Sequence, residues 1–558
     1  MCSFFNFEFT PLYVHYPVVA IPQSMAYAII ANVNPVYGLY TAIVSAIFSS
    51  LFGSSDHLIG GPTNAISLLI ASSMKNFTGR NDFIEMLFLL TFMVGALQFI
   101  FGVMKLGKVI NYVSHAVIVG FTAGAGVIIA LGQLNQLLGI SFGKGYMSLM
   151  TKLYFVFSNL SKTNLYSLGL GILTIAVILI CKKINKNIPG ALLSIILSII
   201  LVMIFSMDKY GVKLAGDIPR QLPPFNMINF NMESIGQLFS GAFAIAVIGL
   251  VEAISIAKSI ASTSHQKIDA NQEFIGQGMA NMVASFFKCF PGSGSFTRSA
   301  INYYSGAKTR MAGVLSGIII AIILLFLAPY AKFIPMPSLA GVIILIAYNM
   351  VNKKEIQKVY KVGKSDPLVM GITFVATVLM PDLDWAIYMG IIISIILYLK
   401  DTNTVPVKIL VPTKDREYHF KEQEIDSVSE KVDILIIQLE GNLYFGSAYD
   451  LEKKLDMLVG KASVFILRMK TVATIDVTAL DAIKVFIRRA KESGGYIIVC
   501  GVKSGLNSIL LNSNMIEDIG EENIFLSQNE IFASSVKALD KAGIIVANLN
   551  KIDSRTLN

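Results

Sequence analysis

Residues 291–310 read PGSGSFTRSAINYYSGAKTR, a polar, glycine-rich interruption among some of the most apolar sequence in this chain of 558 residues. Pro291, Gly292 and Gly294 disfavour a continuous helix. Hydrocarbon cannot satisfy the backbone groups that such a break exposes, so within a bilayer the stretch must line a cavity rather than face lipid. The reading predicts a helix that starts near Ser295. Its free first-turn N–H groups and positive dipole end favour an anion, and Ser293, Ser295 and Thr297 offer hydroxyl donors. Arg298 falls in that first turn, too polar to face lipid and able to donate in a planar fork.

Residues 59–67, IGGPTNAIS, have the same form: glycines and a proline ahead of a short run of small residues. Either stretch alone reads equally well as a loop between spans. Two glycine- and proline-interrupted segments at similar places in two halves instead point to a transporter site built by inverted repeats.

Composition fits that class. Hydrophobic residues make up 54% and charged residues only 15%, whereas soluble domains carry about 25% charged residues. A polytopic helical membrane protein is expected. Cys2, Cys181, Cys289 and Cys500 are far apart and form neither a disulfide framework nor a zinc motif. The net charge of +9 is spread over loops and a polar C-terminal region without a basic block interleaved with aromatics, which suits an anionic inner leaflet rather than nucleic acid. No nucleophile elbow, Walker loop or metal cluster suggests an enzyme, and no cofactor is expected. The start carries no signal-peptide pattern, and His15, Pro17, Pro22 and Gln23 make the first apolar run, residues 11–31, unlike a plain lipid-facing helix.

A span needs about 20 apolar residues. Plain candidates are residues 85–104, 115–134, 165–181, 189–205, 241–257, 310–328 and 385–399; shorter or broken ones are 36–52, 272–287, 337–350 and 366–380. With the first run and the two half-helices these make about fourteen crossings, so both termini lie on one side. Lysines gather in alternate loops, at 105 and 108, 182 to 186, 258 and 267, and 353 to 364, whereas the loop PDLD at 381–384 is acidic. The bias puts both termini in the cytoplasm of a cell with this protein in its inner membrane.

After Lys400 charged residues become frequent and no run is long enough to span. Residues 432–439, 463–469 and 496–500 read as buried strands, and 448–459, 478–492, 504–511 and 528–540 as helices between and after them, with a linker and first strand at 404–411. This alternation predicts a small α/β domain over 404–550 with a tail at 551–558, behind a transmembrane domain over 1–403 whose repeats are roughly 1–206 and 236–403.

The segments IPQSMAYA (21–28), GGPTNAIS (60–67), GLVEAISIAKSIA (249–261), NQEFIGQGMANM (271–282) and PGSGSFTRSAINYYSGAKT resemble the SulP family of sulfate permease-like anion transporters. ATIDVTALDAI (473–483) resembles the STAS domain these carry. The resemblance covers nearly the whole chain in the right order. It implies two inverted repeats of seven spans forming core and gate domains, with the anion between the N-termini of the third and tenth spans. Carried onto this chain, those positions are Thr63, Asn64 and Ala65, and Gly294, Ser295 and Phe296, with Gln23 and Tyr27 from the first span and Arg298 supplying positive potential behind the anion. Expected partners are the anion, protons, lipid, a second copy in a homodimer and a cytosolic protein at the STAS domain.

Glu252, from the eighth span, is the coupling candidate; as a carboxyl group inside a span it must be paired or protonated, and the plainer alternative is a structural partner for Arg298 or backbone. Family members that use sodium carry a further acidic residue on this helix, and residues 247–251 have none, so the resemblance disfavours sodium and favours proton symport or exchange. Two departures stand out. The lead MCSFFNFEFTPLYVHYP is short for the family and reads as a truncated or misread start, and Asp476 is followed by Val477 rather than by a phosphorylatable hydroxyl, so docking or packing is the expected STAS role. The choice among sulfate, bicarbonate, chloride and dicarboxylate stays open, as do a channel and a non-transporting scaffold.

Overall fold

The structure, a computed structural model, describes residues 15–108, 113–140, 149–185, 188–362, 364–412, 420–428, 430–528 and 532–556. The expectations for residues 1–14 and for the His15 and Pro17 side chains lie outside the described residues. The chain divides into two compact units, Met1–Ile395 and Ile396–Asn558.

In the first unit and its last helix, seven described helices are long and apolar enough to cross a membrane: Pro35–Phe52, Phe83–Val103, His115–Leu138, Leu165–Ile184, Met232–Ser264, Met336–Lys361 and Leu383–Thr402. Five shorter apolar helices, among them Ala20–Ile30 and Asn64–Ser73, accompany them. Many of these helices begin in the ordinary way. Asn34, Ser114, Asn164, Asn231 and Asp269 each precede a helix and accept a hydrogen bond from its first-turn N–H groups. Helix Met232–Ser264 extends well beyond the expected 241–257 because its polar ends, capped by Asn231, continue the same hydrogen-bond ladder.

The two interrupted stretches meet. Gly60–Gly61 (β1) and Ser293–Gly294 (β2) form an antiparallel two-stranded ladder, with Gly60 opposite Gly294 and Gly61 opposite Ser293. Each strand leads into a short helix, Asn64–Ser73 and Phe296–Tyr304. Antiparallel strands followed by helices bring two helix N-termini to one place from opposite directions, as an inverted repeat requires.

The non-helical backbone leading into β2 is satisfied by buried side chains. Asn281 donates to the Gly292 carbonyl at 3.0 Å and accepts from the Gly292 N–H at 2.8 Å. Thr41 does the same for Phe290, at 3.2 and 3.0 Å, and Thr91 donates to the Cys289 carbonyl at 3.1 Å. Bonds of this kind allow a broken helix to sit in a dry interior.

The second unit is a six-stranded mixed sheet, in the order β4-β3-β5-β6-β7-β8, of Val407–Pro412 (β3), Phe420–Gln423 (β4), Val432–Leu443 (β5), Ala462–Ile475 (β6), Tyr496–Val502 (β7) and Ile524–Leu526 (β8). Strands β5 to β8 are parallel, whereas β3 and β4 join antiparallel. Sequence reading missed the short edge strands: β4 (FKEQ) carries little apolar content, and β8 (IFL) is apolar but only three residues long. Helices Phe445–Asp456 and Val477–Glu492 contribute to one core, and Ala538 and Ala542 of helix Ala533–Thr556 pack on the other face. That last helix, expected at 528–540, runs to Thr556, into the stretch read as a tail. Asp476 caps Val477–Glu492 through Ala479 N–H at 2.9 Å, and its other oxygen accepts from Phe445 N–H at 2.6 Å.

Candidate anion site

Thr63 and Ser295 occupy the N-cap positions of the two short helices, both in extended backbone conformation. Each carries a hydroxyl suited to capping, and neither caps. The Thr63 hydroxyl instead donates to the Glu252 carboxylate at 3.1 Å. Ser295 uses its backbone: its N–H donates to Ile59 at 3.0 Å and its carbonyl accepts from Ser299 N–H at 2.9 Å. Compared with the five side-chain-capped helices, these two ends face each other with orphan donors and the positive ends of two dipoles. Asn64 moderates this in part, since its side-chain oxygen accepts from Ala65 N–H at 3.0 Å.

Arg298 lies behind the ladder, 1% exposed, and donates to the Pro62 carbonyl at 2.6 Å, while its Nε has no partner. The Gly61 backbone passes so close that a Cβ there would sit 2.2 Å from a guanidinium nitrogen, and its φ of +150° is one that side chains rarely adopt. Gly294 is packed against helix Met232–Ser264, with room for a Cβ only 3.1 Å from the Ala253 backbone. The carboxylate of Glu252 accepts from Thr63, and Arg298 donates to Pro62 instead, so of the alternatives for this residue the direct ion pair with Arg298 is absent among the described residues.

Other expected positions fall around the same point. Helix His15–Ile30 packs against both short helices, as does Met232–Ser264. Tyr27 is buried within electrostatic reach of both Arg298 and Glu252. Gln23 is half-buried, and its side-chain oxygen has no partner. Ala65 is buried, Asn64 and Glu252 are half-buried, and Phe296 is 59% exposed, on the open side of its helix with Thr297. One expected donor is unavailable: the Ser293 hydroxyl donates to the Gly249 carbonyl at 2.7 Å, because β-pairing turns it toward helix Met232–Ser264. Sequence reasoning passed over Asn281, Thr41 and Thr91 as site builders. A signal was present, since Glu273, Gln277 and Asn281 recur every four residues and so share one face of an otherwise small-residue helix.

A membrane-spanning helical unit with two broken helices converging on an anion-favouring point defines a transporter-type fold, joined here to an α/β domain. Residues 14–373 match the sulfate permease family and 427–531 the STAS domain, and the chain belongs to the sulfate permease family. YvdB of Bacillus subtilis (strain 168) is 30% identical over 517 residues, covering 92% of this chain and 95% of its own length. High affinity sulfate transporter 2 of Stylosanthes hamata is 28% identical over 543 residues, 92% of this chain and 82% of that one. The fold is that of the murine Slc26a9 anion transporter in its inward-facing state, with a TM-score of 0.86 at 19% identity over 97% of this chain and 93% of that one. The transmembrane domain of the cyanobacterial bicarbonate transporter BicA aligns with a TM-score of 0.60 at 22% identity, over 67% of this chain and 96% of its own. Anion transport is the function these relationships support.

Proposed function

We propose that the protein is a secondary active transporter of a small inorganic anion, with sulfate as the first candidate, working by alternating access in an inner membrane with both termini cytoplasmic. The observation that carries this reading is the pair of uncapped helix N-termini at Thr63 and Ser295, held together by the β1–β2 ladder. Dipoles, free N–H groups and hydroxyls offset the desolvation of an anion without supplying a fixed counter-charge so strong that the ion could not leave. Glu252, bonded to Thr63 at the mouth of one helix, is the group through which a proton is coupled to the anion, by symport or by exchange. The names of the plant relatives support sulfate.

The test is uptake into proteoliposomes of labelled sulfate, bicarbonate, chloride and a dicarboxylate, with and without a pH gradient and with trans anion. Saturable uptake driven by a proton gradient or by trans anion supports the reading. Unsaturable flux indifferent to counter-substrate indicates a channel, and no flux of any panel anion refutes transport.

A further inference from the structure

A cavity of about 550 Å³ lies at the far end of the same half-helix whose N-terminus forms the candidate site. It is lined by Ala71 and Ser72 of helix Asn64–Ser73. Nine residues separate Thr63 from Ser72, about 13 Å along a helix axis at 1.5 Å per residue. The carbonyl ends of three other helices also reach this cavity, His15–Ile30 through Ile30, His115–Gly132 through Gly132, and Asp366–Leu379 through Leu379. Helix C-termini carry partial negative charge, so these walls oppose an anion. An ion leaving Thr63 in this direction therefore meets a barrier made by the very dipole that bound it.

Among the described residues, one formal charge lines the cavity. Lys152, on helix Leu149–Ser158, is half-buried and has no ion-pair partner among the described residues. Asp382, between the lining residues Pro381 and Leu383, is already taken by an ion pair with Lys75. Gln133 also lines the cavity; it is 8% exposed, and its buried side-chain oxygen has no hydrogen-bond partner. A half-turn of that amide presents an NH₂ group to an oxyanion. An adjoining opening of about 450 Å³ shares Ile29, Asn32 and Gln136 with the first and adds Lys213, again with no carboxylate among its lining residues.

We propose that this cavity is a second, transit site for the transported anion, in which Lys152 and Gln133 hold the ion between bulk water and the paired helix N-termini. The proposal rests on the anion-transport reading above. A lysine suits this duty, since its ammonium is a mobile, well-hydrated point charge that attracts an anion without locking it in a fork. Two weak sites in series let an ion enter and also leave.

The test uses full-length protein in proteoliposomes and the panel anion with the highest saturable uptake, sulfate being tried first. Lys152→Gln is expected to lower uptake at low ionic strength about tenfold, and less as salt rises, as for loss of electrostatic focusing. Lys152→Arg should retain most uptake, and Lys152→Glu should lose more than Lys152→Gln. Anion-dependent thermal stabilisation should persist in Lys152→Gln, because the site at Thr63 and Ser295 is intact. After Lys152→Cys, a cationic methanethiosulfonate reagent should restore uptake and an anionic one should not, with the unmutated protein as control for the native cysteines. Unchanged uptake in Lys152→Gln, in preparations where Ser295→Glu is inactive, overturns the transit site alone. Uptake retained by Ser295→Glu overturns the reading on which it rests.

Discussion

The guanidinium of Arg298 donates to the carbonyl oxygen of Pro62 across 236 residues of sequence, at 2.6 Å, and so ties the first half of the membrane unit to the second directly behind the candidate site. Arg298→Gln is expected to leave that buried carbonyl without its charged donor, at about 1–3 kcal/mol. Gly61→Ala should displace the same guanidinium by steric conflict. Both variants should lower the thermal midpoint in detergent and weaken anion-dependent stabilisation. An Arg298→Gln protein with an unchanged midpoint would argue that the arginine serves the anion and not the scaffold.

Ser295→Glu puts a carboxylate at the N-cap of helix Phe296–Tyr304, where it can cap the first turn and occupy the anion's place. Uptake should fall to background while expression and the thermal midpoint are retained or improved. Anion binding equal to wild type would refute the site.

Glu252→Gln keeps the size of the side chain and removes the titrating proton. Uptake that varies with pH in the wild type should become flat across the same range, with anion binding less affected, because Thr63 can still donate to the amide oxygen. Uptake at two pH values, together with thermal shifts, checks this; a variant with wild-type pH dependence removes Glu252 from coupling.

Asn281 satisfies both backbone groups of Gly292 and also donates to Gln98 at 2.8 Å. Asn281→Ala strands a buried N–H and a buried C=O, each at about 1–3 kcal/mol, and should lower the midpoint more than a conservative change at a lipid-facing position such as Ile322→Val. A midpoint within a degree of wild type would show that water or relaxation replaces the amide.

Residues 403–558 should fold when expressed alone, because their sheet buries its own apolar faces on both sides. Cys500 reports on this, being the one cysteine of that stretch and fully buried. Burial pushes its thiol up from 9.0 to about 11. The folded state thus disfavours the thiolate, so this group's contribution is intact below pH 9 and declines as pH rises toward 11. Alkylation of the native domain at pH 8 should be slow and become rapid in denaturant. Rapid labelling without denaturant would mean the domain does not fold alone.

The pairing of the two broken segments was legible because proline and glycine in a run of apolar residues have few other uses, and the strands β5, β6 and β7 were legible from their β-branched content. The extent of β5 and β6 was not. Both continue into polar residues, and pairing to a neighbour rather than composition keeps them extended. The Ser293 hydroxyl was misread for the same reason: its direction is set by register with Gly61, a partner 232 residues away. Likewise, nothing local to 133 or 152 signals a cavity, which exists only where four helix ends meet.

The two-residue ladder of β1 and β2 has a further consequence for energetics. A grip made of two separate jaws would loosen as it opened, and would release its cargo toward whichever side opened it. Here the donors from both halves are stitched to one another by backbone hydrogen bonds and by Arg298, so opening them would sacrifice those bonds. A cage of that sort presents the same donors to either compartment. If it binds the anion as proposed, its donors would be the same on the two faces, and the direction of net flow would belong to the gradients rather than to the protein.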